Sequence, residues 1–104
     1  MGNMNKNEAG QYIRIDLNED ISLATPTLIL EPQKGEKLEI TTDVTIPSSP
    51  VTVDGHVFSA NEYIEYQTLA TDLNYAGRWR YKAKLTFSST DIRQTNYQRF
   101  TVLA

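Results

Sequence analysis

A chain of 104 residues, 39% of them hydrophobic, provides for one buried core and is too short to divide into two independently folding units. It has no cysteine, which excludes disulfides and thiolate metal sites, and its apolar runs, such as Leu28-Ile29-Leu30, fall far short of the roughly 20 residues that span a bilayer. The net charge of −3 averages two unlike parts: residues 1–77 carry four Lys or Arg against twelve Asp or Glu, and residues 78–104 carry six against one, an acidic body with a basic C-terminal hairpin.

Residues 1–10 are Asn-, Lys- and Gly-rich and read as a flexible tail, with the folded domain expected over 11–104. The N-terminus lacks the apolar stretch of a signal peptide, so the expectation is a soluble protein made and used without Sec export. From Tyr12, Ile13, Ile15 and Leu17 alternate with Arg14 and Asp16, the period of a strand with one wet face. Asn18-Glu19-Asp20 then turns the chain.

Thr25 to Glu31 reads as a second strand, closed by Pro32 and by Lys34-Gly35. Leu38 and Ile40 alternate with Lys37, Glu39 and Thr41 in a third, and Pro47 and Pro50 then interrupt pairing because proline lacks a ladder donor. Asp54-Gly55 between Val51–Val53 and Val57-Phe58 is a tight-hairpin signal. Over 62–73 the alternation of Ile64, Tyr66 and Thr68 favours a strand, while Tyr66, Leu69, Ala70 and Leu73, with Ser59 and Glu62 as a capping box, also fit a helix.

Trp79, Tyr81, Ala83, Leu85 and Phe87 occupy every second position, with Arg78, Arg80, Lys82, Lys84 and Thr86 between them, so one face is core and the other cationic. In the last strand Ile92, Phe100 and Val102 share one parity and Arg93, Thr95, Tyr97, Arg99 and Thr101 the other; the polar run Gln94, Asn96, Gln98 interrupts the apolar face and predicts a bulge or an overhanging hairpin tip. About seven short strands separated by turn signals predict an all-β, immunoglobulin-like antiparallel β-sandwich.

Few residues suggest chemistry. His56, the one histidine, stands next to a turn with no thiol or second histidine to complete a catalytic set, so it reads as a solvated turn residue. Asp16, Glu19 and Asp20 lack the spacing and the glycine of an EF-hand loop and read as an acidic turn without metal. Glu62 and Glu65 read as surface acids and not as a glycosidase pair, and no glycine-rich phosphate loop is present. Neither an enzyme nor a cofactor is expected. The sharpest feature is a candidate partner-binding face of Arg78, Arg80, Lys82, Lys84, Arg93, Tyr97 and Arg99. Glu39 and Asp43, if their strand pairs with the penultimate one, would compensate part of it. An acidic protein is the expected partner, because the acidic body would repel a nucleic acid.

Asp72-Leu73-Asn74-Tyr75-Ala76-Gly77-Arg78-Trp79-Arg80-Tyr81 resembles the entry to the penultimate strand of immunoglobulin-like domains, with Gly77 permitting a tight approach, Trp79 filling the core and Tyr81 where antibody domains carry a cysteine. Ile13-Arg14-Ile15-Asp16-Leu17 followed by Asn18-Glu19-Asp20-Ile21, Thr27 to Pro32, Asp54-Gly55, Ala76-Gly77-Arg78-Trp79 and Arg99-Phe100-Thr101-Val102 together resemble small immunoglobulin-like structural proteins of tailed-phage virions, including the N-terminal domain of baseplate upper proteins. The Pro47 to Pro50 insert departs from that pattern. The resemblance implies a non-enzymatic component of the particle, in the tail, the baseplate or as a capsid decoration, made in the host cytoplasm, present in many symmetric copies and bound to other virion proteins. The alternative is a carbohydrate or cell-surface binding module that stacks sugars on Tyr63, Tyr66, Tyr75 and Tyr97.

Overall fold

The structure, a computed structural model, describes residues 4–5, 9–69 and 71–103. Ten strands and no helix occur among them: β1 (Met4–Asn5), β2 (Tyr12–Asp16), β3 (Thr25–Pro32), β4 (Leu38–Ile40), β5 (Val51–Val53), β6 (His56–Phe58), β7 (Tyr63–Gln67), β8 (Gly77–Thr86), β9 (Ile92–Gln94) and β10 (Gln98–Leu103). Segment 62–73 thus contains a strand, as its Ile64 and Tyr66 alternation predicts.

The larger layer runs β1-β10-β8-β3-β4, with β9 also paired to β8, and every pairing is antiparallel except β1 with β10. The second layer is β2 with β7, extended by a bridge from Thr45 to Glu65. β8 pairs with both β10 and β3, so the larger layer of the sandwich is joined by contacts far apart in the chain. The physical cause of the sandwich is the two-residue period: each strand buries one face, and two such faces exclude water only against each other.

Trp79, Tyr81, Ala83 and Leu85 of β8 meet Ile13, Ile15, Ile64 and Tyr66 of the second layer in one core with Leu28, Leu30, Leu73, Phe100 and Val102, while Arg80, Lys82 and Lys84 stay half-buried on the opposite face. Trp79 and Phe100 stack at 6.1 Å between centroids, and Tyr81 meets Phe100 edge-on at 5.7 Å. The acidic corner has a defined structure. Asp72 is 8% exposed, and its Oδ2 accepts from the Tyr66 hydroxyl at 2.5 Å and from the Leu69 amide at 2.7 Å, tying the end of β7 to the approach to β8.

The turns follow their residues. Asp54 and Gly55 both have positive φ, 51° and 81°, the conformation of a two-residue type I′ hairpin between β5 and β6. That hairpin packs on the second layer through Phe58, whose ring lies 5.4 Å from that of Tyr63. The insert at 47–50 is fastened there too: the Ser49 carbonyl accepts from the Tyr63 hydroxyl and the Pro47 carbonyl from the Asn61 amide. Gly77 corrects one expectation. A Cβ there would meet nothing within 4 Å, so its role is a φ of 120°, which L side chains rarely adopt, and not a tight approach.

The tail needs a correction as well. Met4 is 5% exposed and belongs to the core, and Met4–Asn5 pair in parallel with Val102 and Leu103. The rest of the expected tail, apart from Ala9 and Gly10, lies outside the described residues. One apolar residue suffices to fix a strand when an uncovered sheet margin offers it both a pocket and ladder partners.

Burial raises the hydroxyl pKa of Tyr66, Tyr63 and Tyr81, with the Asp72 carboxylate adding to the effect at Tyr66. A raised folded pKa means that the native state keeps protons which the unfolded chain loses near pH 10, so this stability is fully present below that pH and is lost above it. Denaturant unfolding followed upward from neutral pH should show stability falling beyond about pH 10 by up to about 1.4 kcal/mol per unit for each such tyrosine. Tyr66→Phe should flatten the decline, and an unchanged slope would place that hydroxyl in water.

Candidate partner-binding face

The outer side of the larger layer carries the cations. Arg78, Arg80, Lys82 and Lys84 project from β8 at alternate positions, and Arg99 of β10 stands directly across from Arg80. Register places Thr27, Ile29 and Glu31 of β3 beside Lys84, Lys82 and Arg80 on the same side. Ile29 is only 3% exposed there, with Lys82 and Glu39 as cross-strand neighbours, as expected where long charged side chains lay their aliphatic stems over an apolar residue.

Compensation is local and comes from a different acid than expected. The Arg80 guanidinium forks onto Glu31, its Nε donating at 2.9 Å and its Nη2 donating to the same oxygen. Glu39, expected to lie beside the bases, sits instead on β4, two strands from β8, and pairs with Lys37 at 3.7 Å. Asp43 lies in the turn that follows, with φ 63°. The reason is topological: the strand that pairs with β8 is the one before the predicted neighbour, and Glu31 is its outward acid.

Tyr97 lies under two of the bases, with the Arg80 guanidinium 4.0 Å and the Lys82 ammonium 4.5 Å from its ring centre. Among the described residues, Arg78, Lys82, Lys84 and Arg99 make no ion pair within 4.0 Å. Arg99 stands opposite Arg80 as a like-charge neighbour, and the Glu31 carboxylate on Arg80 offsets part of that repulsion.

Arg93 does not belong to this face. The step from Gln94↔Lys84 to Gln98↔Tyr81 advances four residues on one strand and three on the other, a bulge with one extra residue over Thr95–Tyr97. It reverses the parity of β9 relative to β10, so Arg93 lies opposite core-facing Leu85 and Ile92 turns outward, 48% exposed. Arg93 instead caps the sandwich end, donating to Asp91 and Glu19 with its guanidinium 4.5 Å from the Phe87 ring centre. Those two carboxylates, Asp91 foremost, raise its pKa. The polar run had signalled the bulge; its consequence for Arg93 follows only from the pairing register.

Where Arg78, Arg80 and Arg99 converge, the sheet surface forms an open depression of about 820 Å³, bordered also by Glu31, Gln33 and Thr101. Glu31, Gln33 and Thr101 carry no motif of their own and become visible as part of the site only through strand pairing.

A smaller cleft of about 400 Å³ runs between β2 and the β5–β6 hairpin, lined by Tyr12, Arg14, Asp16, His56 and Phe58 among others. Arg14 and His56 have partners: Arg14 Nε donates to Glu65 beyond the cleft lining at 2.8 Å, and His56 Nε2 lies 2.9 Å from Asp16 within it. His56 also meets Phe58 edge-on at 4.6 Å, and among the described residues no hydroxyl or thiol lies within hydrogen-bond reach of its ring. Asp16 and Asp20 accept backbone amides two residues on, from Asn18 and Ser22, which lowers the Asp20 pKa. Among the described residues no three His, Cys, Asp or Glu side chains assemble a metal site.

The sugar-stacking tyrosines do not share a surface. Tyr63 and Tyr66 are 2% and 3% exposed in the interior, Tyr97 is covered by Arg80 and Lys82, and Tyr75 stands alone at 48%. No family model matches the chain, and no curated protein matches it.

Proposed function

We propose that the chain is a non-enzymatic structural component of a tailed-phage particle, a β-sandwich that attaches to other particle proteins through the cationic outer face of its larger layer. The observation that carries the attachment reading is the set of bases at Arg78, Lys82, Lys84 and Arg99, which make no ion pair among the described residues on a surface that keeps Arg80 fixed between Glu31 and Tyr97. A side chain held in place before binding loses little freedom on binding, and a row of one sign steers a partner of the other. The resemblance of the opening strand, of the Ala76-Gly77-Arg78-Trp79 corner and of the closing strand to virion modules supports the setting. In that setting the protein resides in the virion in many symmetric copies, with acidic protein partners. The sugar-binding alternative loses its support in the buried Tyr63 and Tyr66.

Mass spectrometry of purified particles from the phage or prophage that encodes the chain tests the setting. The protein should appear at a copy number matching a symmetric site, and its absence from intact particles would sink the assignment.

A further inference from the structure

The bases of β8 are a ruler as well as a charge. Residues two apart on a strand lie about 6.6 Å from each other on one face, so Arg78, Arg80, Lys82 and Lys84 form a row of cations at that repeat. An extended peptide with acidic residues at alternate positions presents carboxylates at the same repeat on one of its faces. At the Arg78 end of the row the depression adds Arg99 from the neighbouring strand, with Thr101 and Gln33 as neutral hydrogen-bonding groups and with Glu31, already bound to Arg80, as its one acid among the lining residues. Arginine there, in place of lysine, favours planar two-point contact with carboxylates.

We infer that this groove receives an extended acidic segment of a protein partner, its carboxylates at alternate residues set against Arg78, Arg80 and Lys82, with Arg99 closing the side. The inference rests on the attachment reading and specifies the form of the partner. A short segment of few charges suits the site better than a long polyanion, because the acidic remainder of the domain repels continued wrapping.

Fluorescence anisotropy with labelled peptides of alternating Glu and Thr tests it. The control peptide carries the same number of Glu at every third position, which in an extended chain fall on opposite faces. The alternating peptide should bind about tenfold more tightly than the control and lose about tenfold in the double variant Arg78→Ala/Arg99→Ala. Both side chains are exposed, so the fold persists in that variant. Lys37→Ala/Arg93→Ala removes the same charge away from the groove and should leave binding nearly unchanged. Equal affinity for the two peptides, equal losses in the two variants, no binding, or tighter binding of a thymidine oligonucleotide than of the alternating peptide would each overturn the proposal. Peptide binding by a protein missing from particles would leave the groove standing and remove the virion setting; presence in particles without peptide binding would do the reverse.

Discussion

Trp79→Ala should lower the unfolding free energy by about 3–5 kcal/mol, the range for deleting a buried large aromatic side chain. That is a large part of the roughly 5–15 kcal/mol that holds a domain of this kind together. The ring is 2% exposed, stacks on Phe100 and donates its Nε1 proton to the Tyr75 carbonyl at 2.9 Å, so truncation removes transfer energy, a ring pair and the anchor of the Tyr75 loop together. Equilibrium urea unfolding measures it, and Arg78→Ala on the adjacent outward position, which should stay within about 0.5 kcal/mol, is the internal control. A midpoint unchanged by Trp79→Ala would mean that β8 does not face a core, and the sandwich would have to be abandoned.

Asp72→Ala should cost about 2–4 kcal/mol, because one carboxylate oxygen serves two donors, and its loss strands the Tyr66 hydroxyl in a buried place and the Leu69 amide in a partly buried one. Tyr66→Phe removes only one of those bonds and leaves the amide satisfied, so about 1–1.5 kcal/mol is expected. The double variant should fall short of the sum of the single losses by about 1 kcal/mol, since the shared bond can be lost only once. A double-mutant cycle by denaturant unfolding decides it: strictly additive losses would show that Tyr66 and Asp72 do not interact.

These two positions brace opposite ends of one path, from β7 through Asp72 to β8, and β8 carries the cationic row on its other face. Stability and the proposed attachment therefore divide by parity along a single strand. Substitution at Trp79, Tyr81 or Leu85 should destabilise the domain, whereas substitution at Arg78 or Lys84 should change association and leave the fold intact.

Much of this was readable in the amino-acid order alone. Alternation is local, so the strand character of β8, its buried and charged faces, the Asp54-Gly55 hairpin and the bulge after Gln94 all follow from neighbours a few residues apart. The all-β sandwich follows as well, since two one-sided sheets can hide their apolar faces only in each other. Partner choice between strands was not readable. Ladder hydrogen bonds are made by the backbone, which is the same at every residue, so nothing local tells β8 that its neighbour is β3 and not β4. That choice decided that Glu31 and not Glu39 compensates Arg80, and that Arg78, Arg80 and Arg99 border one depression. The register across the bulge decided that Arg93 caps the sandwich end, and a free sheet margin beside Val102 decided that Met4 is buried. Periodicity assigned each side chain to a face of its own strand; only the assembled sheet could say which other side chains it would meet there.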